Sequence, residues 1–339
     1  MIQNRKSEAI KELEQIIDSD LFTVDLQNIL GNLYRDNGHL EKSIFIRTSL
    51  LNRVDLSKEK RNTVKFELAK DYFESGLLDK SKTLLEDINS ELIQIQVFQL
   101  LIHIAEQSKS WNDCLHYTKK IINIDEKNDY TNIYRNYHCE VAEIYLNNNE
   151  LKKFNEYVIF IIGKFGSFPR IKLLKFRYFI KTNDIDGVYE TWFDLISNNE
   201  NFIDTLIKEL SNFLIENSND FSLTFFQKSI EKHPSLTLVK SIFKNFDLLK
   251  NKNHKIELIE DIFKYIQKIE KIDSELVFYF IKNLDLIENI KFIKFLENNH
   301  HKNKFIESFK KSYKCRICGY NSSNMYWQCI SCKSWESFI

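Results

Sequence analysis

Apolar side chains recur every three to four residues along almost the whole chain before its C-terminal cysteines. Ile10, Leu13, Ile16 and Ile17 form one such set, and similar sets follow throughout the sequence. This period places apolar side chains on one face of an α-helix, whereas a half-buried strand would alternate apolar and polar residues. No alternating stretch of useful length is present. The pattern therefore predicts an all-α body.

Two stretches of the chain repeat the same landmarks at an offset of 38 residues. In each copy an aromatic residue ends the first helix, a glycine makes the turn, and a small residue lets the second helix pack closely. This arrangement is typical of a tetratricopeptide helix pair. The aligned residues are Tyr34 with Tyr72, Gly38 with Gly76, Leu40 with Leu78, and Ser43 with Ser81.

Weaker copies of the helix pair follow. Cys114 takes the small-residue place in the third copy, and the large Phe154 replaces it in the fourth. We therefore predict a tetratricopeptide-type helical solenoid over residues 1–306, clearest over 24–160 and degenerate beyond. A generic helical bundle with chance similarity is the alternative. The degenerate fifth copy runs through Phe179, Asn183 and Val188.

Four cysteines near the C-terminus form two Cys-x-x-Cys pairs with ten residues between them. Such pairs bring four thiolates to the corners of a tetrahedron, the geometry of a structural Zn²⁺ or a rubredoxin-type iron. The segment after Lys311 is short, and chains below about 40 residues usually need a metal or disulfides. We predict a metal-binding module over residues 307–339 with one Fe or Zn ion. The predicted ligands are Cys315, Cys318, Cys329 and Cys332.

Two disulfides are the alternative interpretation of these four cysteines. They are disfavoured because the chain begins with a polar segment rather than a signal peptide. A thioredoxin-like redox pair is also disfavoured, since no βαβ pattern surrounds either pair. Cys114 and Cys139 lie among apolar neighbours and are interpreted as small core residues. His300 and His301 could add ligands, but four thiolates already complete a tetrahedral site.

Gly319 follows the second cysteine and suits the positive φ of a metal knuckle, where backbone amides turn toward the sulfurs. Six aromatic residues crowd the same module, more than so short a segment can bury. We expect them both to shield the site from water and to dock the module against the last helices. These residues are Tyr313, Tyr320, Tyr326, Trp327, Trp335 and Phe338.

Charge and motif content narrow the function. The chain carries 48 basic and 48 acidic side chains, and this balance argues against broad electrostatic binding to nucleic acid. The sequence has no Gly-rich phosphate loop, GxSxG or HExxH motif, so we predict a non-enzyme. The longest apolar run, Val158 to Gly163, is far shorter than the ~20 residues of a membrane-spanning helix. Stacked helix pairs usually bind peptides or proteins.

The helix-pair landmarks and the C-terminal motif together resemble a known family. Residues 315–320 read CRICGY and residues 325–335 read MYWQCISCKSW. A degenerate tetratricopeptide array followed by this motif is similar to the lipopolysaccharide assembly protein B family, whose members end in a rubredoxin-like domain. The likeness covers nearly the whole chain and includes residues 30–35 and the pair His233-Pro234.

The resemblance implies that the four cysteines are metal ligands and that the chain is an adaptor at the cytoplasmic side of the bacterial inner membrane. Such adaptors bring the deacetylase that commits lipid A synthesis to a membrane-bound AAA protease. Other inner-membrane lipopolysaccharide assembly proteins are further implied partners. Family members begin with a single membrane-spanning helix, which this sequence lacks. We therefore expect peripheral attachment or an anchor outside this sequence.

Two other functions stay open from the sequence. A rubredoxin-type electron-transfer protein would use an iron site, but the helix pairs give no reason to expect a redox partner. A zinc-ribbon nucleic-acid-binding protein would stack module aromatics on bases beside Lys314, Arg316 and Lys333. The neutral total charge argues against it, so nucleic acid is not an expected partner. Self-association is left open.

Overall fold

The computed structural model describes residues 10, 24–125, 127–198, 200–217, 219–266, 276, 279, 313–322 and 325–338. The chain divides into two compact units, Met1–Val141 and Ala142–Ile339. The C-terminal module, residues 313–322 and 325–338, lies in the second unit. The division falls inside one helix, α7.

Helices account for most of the described residues up to this division. A short 3₁₀ turn, Glu91–Ile93, precedes the fifth helix. The helices are α1 (Val24–Asp36), α2 (Leu40–Leu51), α3 (Lys58–Glu74), α4 (Leu78–Glu86), α5 (Gln94–Gln107), α6 (Trp111–Ile124) and α7 (Thr131–Asn147).

The described residues of the second unit add seven further helices and a small antiparallel sheet. Short 3₁₀ turns at Glu200–Phe202 and Phe246–Leu248 join helices. The helices are α8 (Leu151–Phe165), α9 (Pro169–Thr182), α10 (Ile185–Asn198), α11 (Ile203–Glu216), α12 (Asn219–Lys232), α13 (Leu236–Lys244) and α14 (Lys252–Ile266). The sheet pairs β1 (Tyr313–Lys314) with β2 (Asn321–Ser322), so that Tyr313 faces Ser322.

The same type of turn joins the two helices in each of five successive pairs, from α1–α2 to α9–α10. A residue with positive φ follows the first helix, and the next backbone N–H donates to a carbonyl five residues earlier at 2.8–2.9 Å. This Schellman motif satisfies carbonyls that a helix end leaves without partners. The positive-φ residues are Gly38, Gly76, Lys109, Asn149 and Asn183.

The small-residue position lies five residues after each of these turns and is buried in all five pairs. The Ser43 hydroxyl donates to the Gly31 carbonyl at 2.8 Å, and the Ser81 hydroxyl donates to the Ala69 carbonyl at 2.7 Å. In the fourth pair the larger Phe154 is buried instead. Because these positions follow the turns in one register, the predicted repeats are confirmed, including the degenerate fifth.

A buried ion cluster joins α1, α2 and α3. Arg47 and Asp71 form a salt bridge, and both side chains are fully buried. Arg35 adds salt bridges to Asp71 at 3.1 Å and to Glu67 at 2.8 Å. A Cβ at Gly31 would lie 3.0 Å from the Arg47 guanidinium carbon. Glycine at this place therefore lets the guanidinium pack against α1.

The core of the second unit is a continuous apolar cluster over α9 to α14. Its largest fully buried side chains include Phe176, Trp192, Phe225 and Phe226. Among the described residues from 200 to 266, none has positive φ. The turn of the five pairs is therefore not repeated there, in agreement with the loss of a clear repeat in the sequence.

The fold class is that predicted: an all-α body of tetratricopeptide-type helix pairs, followed by a four-cysteine module. The predicted boundary between residues 306 and 307 lies outside the described residues and stays a prediction. In the described part of the chain, no helix combines the length and the apolar character that a membrane crossing requires.

Candidate metal centre

Two short backbone loops, which we call knuckles, carry the four C-terminal cysteines. Knuckle 1 is residues 315–320 and knuckle 2 is residues 329–334. In knuckle 1 the Cys315 amide donates to the Tyr320 carbonyl at 2.9 Å, and the Cys315 carbonyl accepts from the amide four residues later at 2.9 Å. Knuckle 2 repeats both bonds from Cys329, at 2.8 and 2.9 Å. The two loops are therefore copies of one structure.

The fifth residue of each knuckle has positive φ. Gly319 has φ 76°, as the sequence predicted, and Lys333 has φ 58° at the equivalent place in knuckle 2. A side chain with a Cβ is strained in this region by roughly 1–2 kcal/mol, whereas glycine is not. The sequence predicted the positive φ at Gly319 because the residue is glycine, but it did not predict the positive φ at Lys333.

The four thiols converge to one point. Every ligand atom lies within 4.8 Å of the others. Two sulfur pairs join the knuckles, with Cys315 Sγ 3.7 Å from Cys332 Sγ and Cys318 Sγ 3.7 Å from Cys329 Sγ. A tetrahedral ion with bonds of about 2.3 Å needs sulfur–sulfur edges of about 3.8 Å. A disulfide needs about 2.05 Å, and all four cysteines are free.

Burial and hydrogen bonding differ among the four sulfurs. Cys315 and Cys329 are buried, Cys332 is half-buried and Cys318 is exposed. The Ser334 hydroxyl lies 2.8 Å from Cys332 Sγ. The structure thus places one edge of the site in the module core and one near solvent.

Ser337 and the knuckle amides favour a thiolate at Cys315. Burial works to raise the pKa of this thiol, but its hydrogen bond with the Ser337 hydroxyl, 3.2 Å away, and hydrogen bonds from two knuckle amides lower the pKa to about 5. The Ser334 hydroxyl lowers the pKa of Cys332. Burial raises the pKa of Cys329 to about 11. A bound cation would offset that burial, because metal ligation deprotonates thiols outright.

The structure brings all four predicted cysteines together and keeps the other two apart from them. Cys114 and Cys139 are fully buried on α6 and α7, as predicted for core residues. His300 and His301 lie outside the described residues. Sequence reasoning missed Ser334 and Ser337, because a serine near a cysteine pair carries no spacing rule of its own.

The module docks on helices of the second unit through its aromatic residues. The Trp327 ring stacks on Phe202, with centroids 5.8 Å apart, and Met325 packs against the same core. Tyr313 is buried beside α11. Its burial and the charge of Asp204 raise the pKa of its hydroxyl. These contacts bury aromatic surface that so small a module could not bury alone.

Arg170, at the start of α9, also contacts the aromatic residues of the module. Its guanidinium carbon lies 5.0 Å from the Trp335 ring and 5.8 Å from the Trp327 ring, within cation–π distance of both. The side chain is 3% exposed, and it also forms a 3.5 Å salt bridge with Glu143. We expected docking on the last helices. The contacts that the structure describes include residues 170 to 205, and because residues 280–312 lie outside the described residues, docking on the last helices stays a prediction.

The fold and the site together define a tetratricopeptide-type helical protein that carries a docked four-cysteine metal-binding module. Comparison with known proteins agrees with this class. Residues 313–339 match a family model described as "Rubredoxin metal binding domain".

Two curated relatives share the name lipopolysaccharide assembly protein B. The protein from Escherichia coli (strain K12) is 18% identical over 344 residues, which cover 99% of this chain and 86% of the relative. The protein from Haemophilus influenzae is 22% identical over 349 residues, which cover 96% and 81%. These findings confirm that the chain resembles the lipopolysaccharide assembly protein B family.

Solved tetratricopeptide structures are more distant. The C-terminal part of a repeat protein from Cytophaga hutchinsonii has a TM-score of 0.38 and 9% identity, covering 85% of this chain and 96% of that one. A tetratricopeptide repeat protein from Parabacteroides merdae has a TM-score of 0.32 and 15% identity, covering 88% and 94%. We base the assignment of the helix pairs on their own turns and packing.

Proposed function

We propose that this chain is a non-enzymatic adaptor in lipopolysaccharide biosynthesis. It links the deacetylase that commits lipid A synthesis to a membrane-bound AAA protease, so that the deacetylase is degraded under regulation. The observation that carries this proposal is the similarity to lipopolysaccharide assembly protein B over 99% of the chain. Helix pairs that end in a docked module suit a protein whose work is to hold other proteins.

The four cysteines hold one ion, Fe or Zn, in this proposal. The 3.7 Å sulfur edges and the hydroxyl groups beside two sulfurs support the fit. When bound, the ion supplies folding free energy and a charged centre for four thiolates. Four thiolates leave a tetrahedral ion without an open position for substrate, which favours a structural role over catalysis.

The docking interface favours an adaptor over a nucleic-acid-binding zinc ribbon. Trp335 is buried, and Trp327 stacks on Phe202. Both rings also flank Arg170. Base stacking requires open aromatic faces, and these two rings are already occupied. We place the adaptor at the cytoplasmic side of the bacterial inner membrane, together with other lipopolysaccharide assembly proteins.

Affinity capture from native membranes tests the proposal. The tagged full-length chain should recover both the protease and the deacetylase, as identified by mass spectrometry. Depletion of the chain should lengthen the half-life of the deacetylase severalfold. The variant Cys329→Ser should lose both effects, whereas Ser331→Ala, an exposed change in the same knuckle that removes no sulfur, should keep them. An unchanged half-life with neither protein recovered would contradict the proposal.

A further inference from the structure

Two isoleucines are exposed at the tips of the two metal knuckles. Ile317 in knuckle 1 is 71% exposed, and Ile330 in knuckle 2 is 48% exposed. Each is the chain neighbour of a cysteine, and the sulfurs of these two cysteines, Cys318 and Cys329, lie 3.7 Å apart. The two apolar tips therefore stand beside the same pair of sulfurs. Neither tip belongs to the apolar cores of the module or of the helices.

Three basic side chains accompany the isoleucines. Lys314, Arg316 and Lys333 are exposed, and within the described residues none of them forms a salt bridge. Lys333 is the fifth residue of knuckle 2. At the equivalent place in knuckle 1, Cε of Lys314 lies 3.8 Å from the position that a Cβ on Gly319 would take. Each knuckle therefore has a lysine at its fifth residue. We call the two isoleucines and these three basic residues the knuckle face.

The backbone amides at the tips already have acceptors. In knuckle 1 the five successive amides from residue 315 to residue 319 all donate within the module. Three donate to carbonyl oxygens at 2.7–2.9 Å, and two donate to the sulfur of Cys315. In knuckle 2 the amides of Ser331 and Cys332 donate to the sulfur of Cys329. An amide without an acceptor is costly at a lipid interface, and these amides would carry their acceptors with them.

The charges decide what the knuckle face contacts. Glu336, which is half-buried, is the one acidic residue in the described part of the module. Four thiolates around a divalent ion would carry net negative charge, but that charge lies behind the tips and is shared with the knuckle amides. The basic side chains stand outside it and meet an approaching surface first. A second copy of the knuckle face would set these cations against each other.

An anionic lipid surface fits the knuckle face better than a protein does. Phospholipid phosphates complement the three cations, and the headgroup region takes up exposed aliphatic side chains. A protein partner would have to supply a pocket for two separate tips, and it would not require that their amides be satisfied. Lipid uses all three features: apolar tips, surrounding cations and internally paired amides.

We propose that the knuckle face binds the surface of a membrane that contains anionic phospholipid, with its two isoleucines among the headgroups and its three basic side chains against phosphates. The contact is peripheral and reversible, because two side chains and three charges bind far more weakly than a membrane-spanning helix. The inference goes beyond the proposed function. It stands on the surface of the module and does not depend on the protease or the deacetylase.

Vesicle flotation of the purified full chain, loaded with Zn²⁺, tests the proposal. Vesicles of phosphatidylethanolamine mixed with phosphatidylglycerol should carry the chain upward. Vesicles of phosphatidylcholine alone should bind it at least about tenfold more weakly, since they lack net negative charge. Binding to the anionic vesicles should also fall as the salt concentration rises. Equal binding to both kinds of vesicle, or binding to neither, would overturn the proposal.

A pair of isoleucine substitutions tests the apolar tips. Ile317→Ser with Ile330→Ser should weaken binding to the anionic vesicles about tenfold. Val54→Ser with Leu92→Ser is the matched control, because these side chains are 96% and 81% exposed outside the module, and it should bind as wild type does. Zinc analysis should give one ion per chain in both variants. Binding retained without the isoleucines, or lost equally in the control, would overturn the proposal.

A pair of charge substitutions tests the cations without touching the apolar tips. Lys314→Gln with Arg316→Gln should weaken binding about fivefold for each charge removed and should reduce its salt dependence. Lys58→Gln with Lys119→Gln removes two exposed lysines from α3 and α6 and should leave binding unchanged. The same loss in both variants would mean that total charge, and not the knuckle face, attracts the chain to lipid, which would overturn the proposal.

The two proposals fail separately. Wild-type chain that captures the protease and the deacetylase but does not float with anionic vesicles would keep the proposed function and remove the lipid contact. Chain that floats through its knuckle face but captures neither protein would do the reverse.

Discussion

The helix pairs and the C-terminal module are stabilised in different ways. Five pairs repeat one Schellman turn and one buried packing position, so each pair carries its own stabilising contacts. The module has two copies of one knuckle, but both copies meet at a single group of four sulfurs. The stability of the module therefore depends on one metal site, whereas the stability of the helix pairs comes from many repeated contacts.

This difference explains why the module lies against the helices. A segment so short buries little apolar surface by itself. The ion would supply the local free energy, and the contacts of Trp327 and Trp335 with Phe202 and Arg170 add surface that the module lacks. We expect the module to need both the metal and the helices, and the helices to need the module much less.

Loss of the metal should have the largest effect. Cys329→Ser, or removal of the ion by a chelator, should unfold the module, because structural ions in such sites supply on the order of 10 kcal/mol. Most of the helical circular dichroism signal should remain. Metal analysis together with circular dichroism measures both results, and a collapse of the whole helical signal would refute the separation between the two regions.

Asp71→Ala tests whether the stability of the helix pairs also depends on a single site, the buried Arg47–Asp71 salt bridge. It removes the closer of the two carboxylates beside the fully buried Arg47 and leaves Glu67, 3.7 Å away, which should destabilise the first unit by about 3 kcal/mol. Urea unfolding measures the loss. The double variant Arg47→Met with Asp71→Leu is the control and should recover most of the stability, since no charge is left unpaired. A loss below about 1 kcal/mol in Asp71→Ala would show that the cluster is dispensable.

Trp327→Ala measures how much docking contributes. The variant loses the stacking on Phe202 and one face of the Arg170 contact, which should cost about 2–4 kcal/mol. The metal content should stay at one ion per chain, because no sulfur is removed. Limited proteolysis should then cut the module faster than in wild type. Unchanged cleavage would mean that the docked surface adds nothing to the module.

Two lysines in left-handed backbone give a matched pair of substitutions. Lys109 has φ 54° in the third helix pair, and Lys333 has φ 58° in knuckle 2. Each change to glycine should stabilise its own region by about 1 kcal/mol. Lys109→Gly should raise the thermal midpoint of the helices, and Lys333→Gly should slow metal release to a chelator. A higher thermal midpoint of the helices in Lys333→Gly would contradict the expectation that the helices need the module much less.

The smallest expected effect is a loss of stability at acid pH from Glu67. Burial acts to raise the pKa of this carboxyl, but hydrogen bonds from Lys70 and Arg35 prevail and hold its pKa below the ordinary value. The contribution of Glu67 to the free energy of unfolding is therefore present above its unfolded pKa of about 4.3. It is lost as the pH falls through the lower pKa of Glu67 in the folded state. Glu67→Gln should reduce this acid dependence in urea titrations, whereas Glu74→Gln, an exposed change at the end of α3, should not.

Sequence reasoning predicted the repeated features well and the single contacts poorly. Gly38 and Gly76 marked two turns, and the same spacing led to Asn183 in the degenerate fifth pair. Lys109 was not recognised as a turn residue, because its positive φ is imposed by the Schellman motif rather than by residue type. The contacts of Arg170 with Trp327 and Trp335 join residues more than 150 positions apart, and no local pattern records such a pairing.

The most direct test of the account is X-ray absorption spectroscopy at the metal edge of the purified full-length chain. We predict one ion per chain with four sulfur neighbours at about 2.3 Å, and the loss of this shell in Cys329→Ser. A spectrum with nitrogen or oxygen ligands in place of sulfur, or a chain that folds its module without any metal, would contradict the central claim that these four thiols hold the module together.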